Sequence, residues 1–219
     1  MKDRHATILV DLKPIEEEII ENLQKDARWG IKRAQKEGLI IKETREENDW
    51  IEFYKIFKEM AKKEEGEPPS LDTLKKNTFA FFICKKEEKI IAGAGISLGK
   101  IDCPDRQIQD IYNFDIPRLY FNASLEEYLN LQPNNLLYWS CILWCKNKGY
   151  KEFDLGGWQI NARDLHLIGI NKFKERWGKI IYYERDYPFF IALGRKLVRK
   201  SNFLFKLNKW RKRKYEEDK

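Results

Sequence analysis

Lys174 is the residue whose type and position could do chemistry most directly. It lies in the run KFKERWG at positions 172–178, which has the pattern of a helix and follows a strand that stops at Gly156-Gly157. A strand end without Cβ atoms lets a ligand approach the backbone closely. A lysine ammonium facing such a cleft would stabilise the negative charge that develops on a carbonyl oxygen during acyl transfer. The residues alone leave a second reading open, in which Lys174 belongs to a solvated helix face.

Asp154 stands just before the double glycine and is the second candidate catalytic residue. Its carboxylate could orient a lysine or an acceptor amine, or it could simply cap the strand end. No histidine or carboxylate pair presents itself as a general base, because His5 and His166 are the only histidines. We therefore expect an attacking amine to lose its proton to water or to the substrate's own groups.

The cysteines predict neither a metal site nor a redox site. Their spacing does not match a zinc site, and two of the four stand one helical turn apart on an apolar helix (Cys84, Cys103, Cys141, Cys145). We expect buried thiols in a reducing compartment. The longest apolar run is too short for a bilayer, and the first residues lead into no apolar segment, so a cytoplasmic protein without a signal peptide is expected.

The pattern of elements predicts an α+β fold with a mixed, mostly antiparallel sheet flanked by helices. Strands are predicted at 7–12, 39–44, 79–84, 90–97, 118–124, 150–155 and 179–184. Helices are predicted from Pro14 to Gly38, and over 49–63, 135–148 and 169–176. The first helix shows apolar residues every three or four positions, which marks one buried face.

The charge of the chain lies in its last residues. The net charge of the whole chain is +7, whereas residues 195–219 alone hold 11 Lys/Arg and 3 Asp/Glu. The rest is therefore close to neutral, and we place a domain at 1–188, opened by a strand and helix at 7–45, before a basic amphipathic helical tail at 189–219. Such a tail suits a polyanion, either RNA or an anionic membrane surface. Its densest cluster is Arg211, Lys212, Arg213 and Lys214.

A second set of cations, Arg28, Lys32 and Arg33, lies within one turn near the end of the first predicted helix. Two explanations remain open: the cations suit the negative end of the helix dipole, or they contact phosphate.

Three ordered segments give the chain a resemblance to a known family. They are 7–12 with 26–38, then Tyr120-Phe121-Asn122-Ala123-Ser124, then 133–157 with 169–178. They are similar to the strand and basic helix, the aromatic-Tyr-Gly-Ala-Ser strand, and the Tyr-Asp-x-Gly-Gly and Phe-Lys-x-x-Phe-Gly motifs of the Fem-type (FemABX) aminoacyl-tRNA-dependent peptidyltransferases. The chain resembles the second, C-terminal GNAT-like domain of that family, here without the first.

The resemblance implies a reaction: transfer of an amino acid from aminoacyl-tRNA to an amine of a peptidoglycan-type or other peptide precursor, in cell-wall biogenesis. It implies no cofactor, and as partners aminoacyl-tRNA and the precursor, with a possible contact with the inner face of the membrane. The expected cleft residues are Tyr120, Phe121, Asn122, Ser124, Gly156, Gly157 and Phe173. The chain departs from the family at Phe121, often a tyrosine there, and at Asn122, which replaces a glycine.

Two other functions stay open. The first is an acyl-CoA-dependent N-acyltransferase. GNAT acetyltransferases bind the CoA pyrophosphate with a Gly-rich loop at a helix start, but residues 130–135 contain no glycine, and Pro133 has no N–H to donate. The second is a non-catalytic module that binds RNA or a membrane.

Overall fold

The computed structural model describes residues 2–63, 67–98 and 116–186, with side chains from 5 to 182 of these. Residues 5–182 form one compact unit. The strands are β1 (Lys2–Asp11), β2 (Leu39–Glu43), β3 (Ala80–Lys86), β4 (Lys89–Leu98), β5 (Pro117–Ser124), β6 (Glu152–Gly157) and β7 (Lys179–Asp186). The helices are α1 (Glu16–Asn22), α2 (Lys25–Lys36), α3 (Glu47–Lys63), α4 (Leu71–Lys76), α5 (Pro133–Asn147) and α6 (Leu165–Glu175).

All seven strands form one sheet in the order β2-β3-β4-β5-β6-β1-β7. The pairs β2–β3, β3–β4, β4–β5 and β1–β6 are antiparallel. β5 and β6 are parallel, and they are joined at a single register position, Arg118 opposite Asp154. This mixed, mostly antiparallel sheet with flanking helices confirms the predicted fold class.

Two hydrophobic clusters cover the sheet. The larger one brings α2 and α5 against β1, β4 and β6, with Ile31, Leu137, Phe153 and Leu155 almost completely buried. The smaller one is aromatic and lies under α3, around Phe53. Burying large aliphatic and aromatic side chains stabilises each layer by about 1.5–3 kcal/mol per side chain.

The predicted helix from Pro14 to Gly38 is wrong as a single element, because the structure breaks it at Leu23 and Gln24. Both residues are extended. The Gln24 N–H donates to the carbonyl of Arg176 at 3.0 Å, a residue distant in sequence. The break therefore depends on a tertiary hydrogen bond, which the helical periodicity of the segment cannot reveal.

α2 is held close to α5 through Gly30. A Cβ at Gly30 would lie 2.4 Å from Cγ of Asn135, so only glycine allows this approach. Asn135 is itself buried and donates to Oε1 of Gln132 at 2.8 Å. This contact fixes which side of α2 faces the core.

Two further elements were not predicted, α4 and a 3₁₀ helix at Glu126–Leu131. The first begins at Ser70, whose hydroxyl accepts from the Thr73 N–H at 3.2 Å. A serine in this position is a recognised helix-start signal, so α4 could have been found from sequence.

Candidate active site

The candidate site forms where β6 ends. Gly156 has φ +79°, a conformation that L side chains rarely adopt. Its N–H donates to Oδ1 of Asp154 at 2.7 Å, and the Thr7 hydroxyl donates to the same oxygen. Asp154 is completely buried. The aspartate predicted to be catalytic therefore has a visible structural task, because it holds the strand end in its turned conformation.

Lys174 reaches this strand end from the last turn of α6. Its Nζ donates to the Gly157 carbonyl at 3.1 Å. The same Nζ lies 3.6 Å from the point where a Gly156 side chain would begin. The structure thus brings together four of the residues chosen from sequence: Lys174, Asp154, Gly156 and Gly157.

The surroundings of Lys174 lower its pKa. The pKa of the ammonium is lowered from 10.5 to about 8: burial is the main cause, the Asp154 carboxylate opposes it, and the nearby Arg118 guanidinium adds a smaller lowering. Desolvation disfavours the charged form of a lysine, as does a second cation. Perturbed lysines of this kind cluster at functional sites.

Arg118 was missed by the sequence analysis. Its Nε lies 3.5 Å from Oδ2 of Asp154 and 3.8 Å from the position of a Gly156 Cβ. No local motif links residues 118 and 154, because the parallel pairing of β5 with β6 is what places them side by side. A cation among the apolar residues of a strand is the one signal that could have drawn attention to it.

This arrangement suits an oxygen that carries negative charge. Lys174 and Arg118 flank Gly156. Because glycine has no side chain, a ligand oxygen can approach the backbone between the two cations. Within the described part of the chain, Oδ2 of Asp154 is buried without a hydrogen bond. Fixed cations in a water-poor place stabilise developing negative charge with little reorganisation, which is the requirement of acyl transfer.

Asn122 and Ser124 lie on β5 and are bound to the start of α5. Ser124 Oγ donates to Oδ1 of Asn134 at 3.0 Å, and Asn122 Nδ2 donates to the same oxygen at 3.4 Å. Pro133 occupies the first position of α5. The helix start that would face a CoA pyrophosphate thus lacks one N–H, and the Asn135 N–H already donates to the Gln132 carbonyl at 3.1 Å.

Phe121 does not join the cations at the strand end. The pairing of β4 with β5 shifts register between Leu119 and Phe121, so Tyr120 is an extra residue in β5. The shift turns Phe121 toward α3, where it is buried and stacks on Phe53 at 5.3 Å. Because Phe121 belongs to this aromatic cluster, the absence of a tyrosine hydroxyl there leaves the surroundings of Lys174 unchanged.

Phe173 anchors the helix that carries Lys174. Its ring packs edge-on against Tyr138 at 5.0 Å and lies 6.1 Å from Trp177. α6 is also fixed at its start by Asp164, whose carboxylate accepts from the N–H groups of His166 and Leu167. Asn171 secures the preceding loop, since its side chain exchanges two hydrogen bonds with the backbone of Gln159 at 2.8 and 3.0 Å.

The three predicted anion-binding residues of α2 have different surroundings. Arg28 donates to the carbonyls of Glu21 and Leu23 and so caps the end of α1. Arg33 pairs with Glu37 at 2.9 Å, whereas Lys32 is exposed. The basic cluster of the tail, Arg211, Lys212, Arg213 and Lys214, lies outside the described residues.

A groove of about 380 Å³ lies between α3 and the β3–β4 hairpin, lined by residues of both charges such as Asp49 and Lys85. It contains none of the residues around Lys174. Within the described ranges there is no group of three or more His, Cys, Asp or Glu residues that could hold a metal ion. In the same ranges, no helix combines the length and apolar character needed to cross a bilayer.

Comparisons with known proteins bear on the fold. Residues 113–175 match the family model of an acetyltransferase (GNAT) domain. FemX superposes with a TM-score of 0.63 at 12% identity, over 82% of this chain and 59% of its own. The chain has a Fem-like GNAT fold.

Two other structures share this Fem-like GNAT fold. The C-terminal domain of a putative lysylphosphatidylglycerol synthetase from Agrobacterium fabrum gives a TM-score of 0.61 at 14% identity, covering 89% of this chain and 64% of its own. The L-PGS structure from Bacillus licheniformis gives a TM-score of 0.61 at 13% identity, covering 94% of this chain and 67% of its own. No curated protein matches the sequence. The family model and the fold support an acyltransferase and leave the donor open.

Proposed function

We propose that this GNAT domain transfers an aminoacyl group from aminoacyl-tRNA to an amine, with Lys174 stabilising the tetrahedral oxyanion. The acceptor would be a peptidoglycan-type or other peptide precursor. One observation carries the proposal: the Lys174 ammonium lies half-buried against a glycine strand end, beside a second cation. An ester carbonyl whose oxygen points toward these groups would gain stabilisation as its charge develops.

In the proposed reaction the acceptor amine attacks the ester carbonyl carbon and forms a C–N bond. The tetrahedral intermediate then collapses, the ester C–O bond breaks, and the ribose hydroxyl of the tRNA leaves. The amine proton passes through water or the substrate to the leaving oxygen, which balances the step. Asp154 would hold the strand end in place and favour the protonated form of Lys174, and it would take no part in the proton transfer.

Similarity to FemX and to the lysylphosphatidylglycerol synthetases supports this donor. The latter name describes a lysyl group joined to a lipid, so phosphatidylglycerol, which offers a hydroxyl instead of an amine, is tested as an alternative acceptor. The chain spans 59% of FemX and 64% of the Agrobacterium domain. The proposed precursor specificity therefore rests on the resemblance, and the proposed chemistry rests on the site.

A second candidate is an acyl-CoA-dependent N-acyltransferase. The acetyltransferase (GNAT) family model over residues 113–175 favours it. The start of α5 opposes it, because Pro133 has no N–H, and the Asn134 side chain is engaged with β5. This helix start offers less to a pyrophosphate than a glycine-rich loop would.

The deciding experiment supplies purified protein with either labelled aminoacyl-tRNA or labelled acetyl-CoA. Each donor is combined with peptidoglycan precursors, small amines and phosphatidylglycerol vesicles. Transfer from tRNA alone supports the proposal. Transfer from acetyl-CoA alone replaces it with the second candidate. Binding to RNA or vesicles in the absence of any transfer would support a non-catalytic module.

Lys174→Ala tests the role of the ammonium within that assay. Loss of one oxyanion-stabilising group is expected to lower kcat by roughly 10²–10³-fold. Lys172→Ala is the matched control, because Lys172 is on the same helix with its side chain exposed. Full turnover by Lys174→Ala, or an equal loss in both variants, would contradict the mechanism.

A further inference from the structure

The outer side of α2 carries an exposed tryptophan among lysines. Trp29 is 57% exposed. Lys25, Lys32 and Lys36 are exposed as well, and they stand four before, three after and seven after Trp29. Residues with these spacings share one face of a helix. We call Lys25, Trp29, Lys32 and Lys36 the α2 basic face.

Packing imposes this exposure. The opposite side of α2 is buried through Ala27, Gly30, Ile31 and Ala34. Gly30 lies so close to Asn135 of α5 that α2 cannot rotate without a collision. Trp29 is therefore held on the side opposite the core, with more than half of its surface exposed to water. A buried indole would contribute to stability, so the exposed ring is available to a partner.

The charges on this face are also unbalanced. Asp26 pairs with Arg176 at 3.5 Å, and Glu37 pairs with Arg33 at 2.9 Å. Among the described residues, no carboxylate lies within ion-pairing distance of Lys25, Lys32 or Lys36. The face thus presents one aromatic platform with three lysine charges around it.

We propose that the α2 basic face binds single-stranded RNA, with Trp29 stacking on an unpaired base and the lysines contacting the flanking phosphates. Stacking on an aromatic side chain within a basic surface is how proteins hold unpaired nucleotides. A membrane is the poorer fit, because an interfacial helix needs a continuous apolar stripe. Trp29 is the only large apolar residue of α2 that is strongly exposed.

The position of α2 relative to α6 suggests which RNA segment binds. Gln24 lies just before α2 and is exposed. Its backbone N–H donates to the Arg176 carbonyl at 3.0 Å, and its Nε2 donates to the Glu175 carbonyl at 3.2 Å. These carbonyls lie at the end of the helix that carries Lys174. The inference rests on the proposed function for one point, that the segment is the unpaired 3′ end of aminoacyl-tRNA.

The test measures the binding of a fluorescent single-stranded RNA ending in CCA by the full-length protein. Trp29→Ala is expected to weaken binding roughly tenfold, while Trp29→Phe retains most of it. Replacing Lys25, Lys32 and Lys36 by Gln should reduce the slope of log K against log salt by about 2. The control replaces Lys55, Lys58 and Lys62 of α3, which are exposed at similar spacing.

Cross-linking with 4-thiouridine RNA gives a second readout that other basic segments cannot mask. The expected cross-link maps to the peptide that contains Trp29. Unchanged binding in the α2 variants, an equal loss in the α3 control, or no cross-link to α2 would each overturn the inference. The inference would also be overturned if the protein bound anionic vesicles through Trp29 but did not bind RNA.

Failure of the proposed function would look different. If RNA binding depends on Trp29 but the wild type transfers no aminoacyl group, the α2 basic face stands and the enzymatic proposal falls. If transfer occurs and Trp29→Ala leaves the KM for aminoacyl-tRNA unchanged, the enzymatic proposal stands and the role of the α2 basic face falls. A raised KM in that variant, together with weakened binding of the oligonucleotide, supports both.

Discussion

At the scale of residues, three charges decide what the strand end can do. Lys174 must be protonated to stabilise an oxyanion, yet burial and Arg118 hold its pKa near 8. Asp154 opposes this and keeps a useful fraction of the ammonium charged at neutral pH. The balance resembles that of other sites in which neighbours tune a lysine for its task.

Opposite shifts in the pH profile are expected from Arg118→Gln and Asp154→Asn. Transfer should fall as the pH rises through about 8, where Lys174 loses its proton. Removing the Arg118 charge raises the pKa of Lys174, so the alkaline limb moves to higher pH. Removing the Asp154 charge lowers that pKa, so the limb moves to lower pH. The measurement is kcat/KM against pH, and shifts in the same direction would contradict the assignment.

Lys174→Met should stabilise the fold at neutral pH. The folded pKa of about 8 lies below the ordinary 10.5, so the unfolded chain binds the proton more tightly. The stability of the wild type therefore rises between these two pH values. We expect the variant to gain roughly 1 kcal/mol at pH 7, with the gain shrinking toward pH 10. Urea unfolding at both pH values checks this, and a gain independent of pH would show that the ammonium is not desolvated.

At the scale of elements, β6 and α6 position the site together. β6 ends in two glycines, of which Gly156 has a positive φ, and α6 brings its last turn over that end. Besides the packing of Phe173, three polar contacts anchor α6: the Asp164 cap, the contact of Asn171 with Gln159, and the hydrogen bond from Trp158 Nε1 to Glu175 at 2.7 Å. These anchors leave Lys174 few alternative positions.

Gly156→Ala and Gly157→Ala form a matched pair at this strand end. Alanine at φ +79° costs roughly 1–2 kcal/mol, and its methyl group would occupy the space beside Lys174 Nζ. We expect a lower unfolding free energy and a large loss of transfer. A Cβ at Gly157 meets no atom within 4 Å, so Gly157→Ala should change little. The measurements are urea unfolding and single-turnover transfer, and equal effects would remove the special role of Gly156.

At the scale of the whole molecule, charge is separated along the chain. Residues 195–219 hold 11 Lys/Arg and 3 Asp/Glu, a net charge of +8, which exceeds the net charge of +7 of the entire chain. The α2 basic face supplies a local cationic surface on a part that is neutral as a whole. We propose that the domain boundary lies near residue 188 and that the tail adds non-specific attraction to RNA.

A chain ending at residue 188 is expected to bind tRNA more weakly and with a shallower salt dependence. The reason is the loss of cations that would release counterions from the phosphates. The full-length variant with Gln at 211, 212, 213 and 214 should change in the same direction by a smaller amount. Filter binding between 50 and 200 mM salt measures both, and an unchanged slope would separate the tail from RNA.

Much of this protein was determined by its sequence alone. Helical periodicity, glycines and turn residues gave all seven strands and most helices of the α+β fold, but not the break between α1 and α2, and not α4 or the 3₁₀ helix. They also gave the pairing of a glycine strand end with the helix of Lys174, because these features depend on neighbours in the chain. Composition alone separated the neutral part from the basic tail.

Tertiary structure decided the rest, because it depends on contacts between distant residues. Periodicity shows that Phe121 is buried, but only the irregular register at Tyr120 directs its ring toward α3 and away from the strand end. Only the parallel pairing of β5 with β6 places Arg118 beside Asp154. Only the close approach of Gly30 to Asn135 holds Trp29 in water. Sequence pattern reports that a side chain faces an interior, whereas packing determines which interior and which partner it meets.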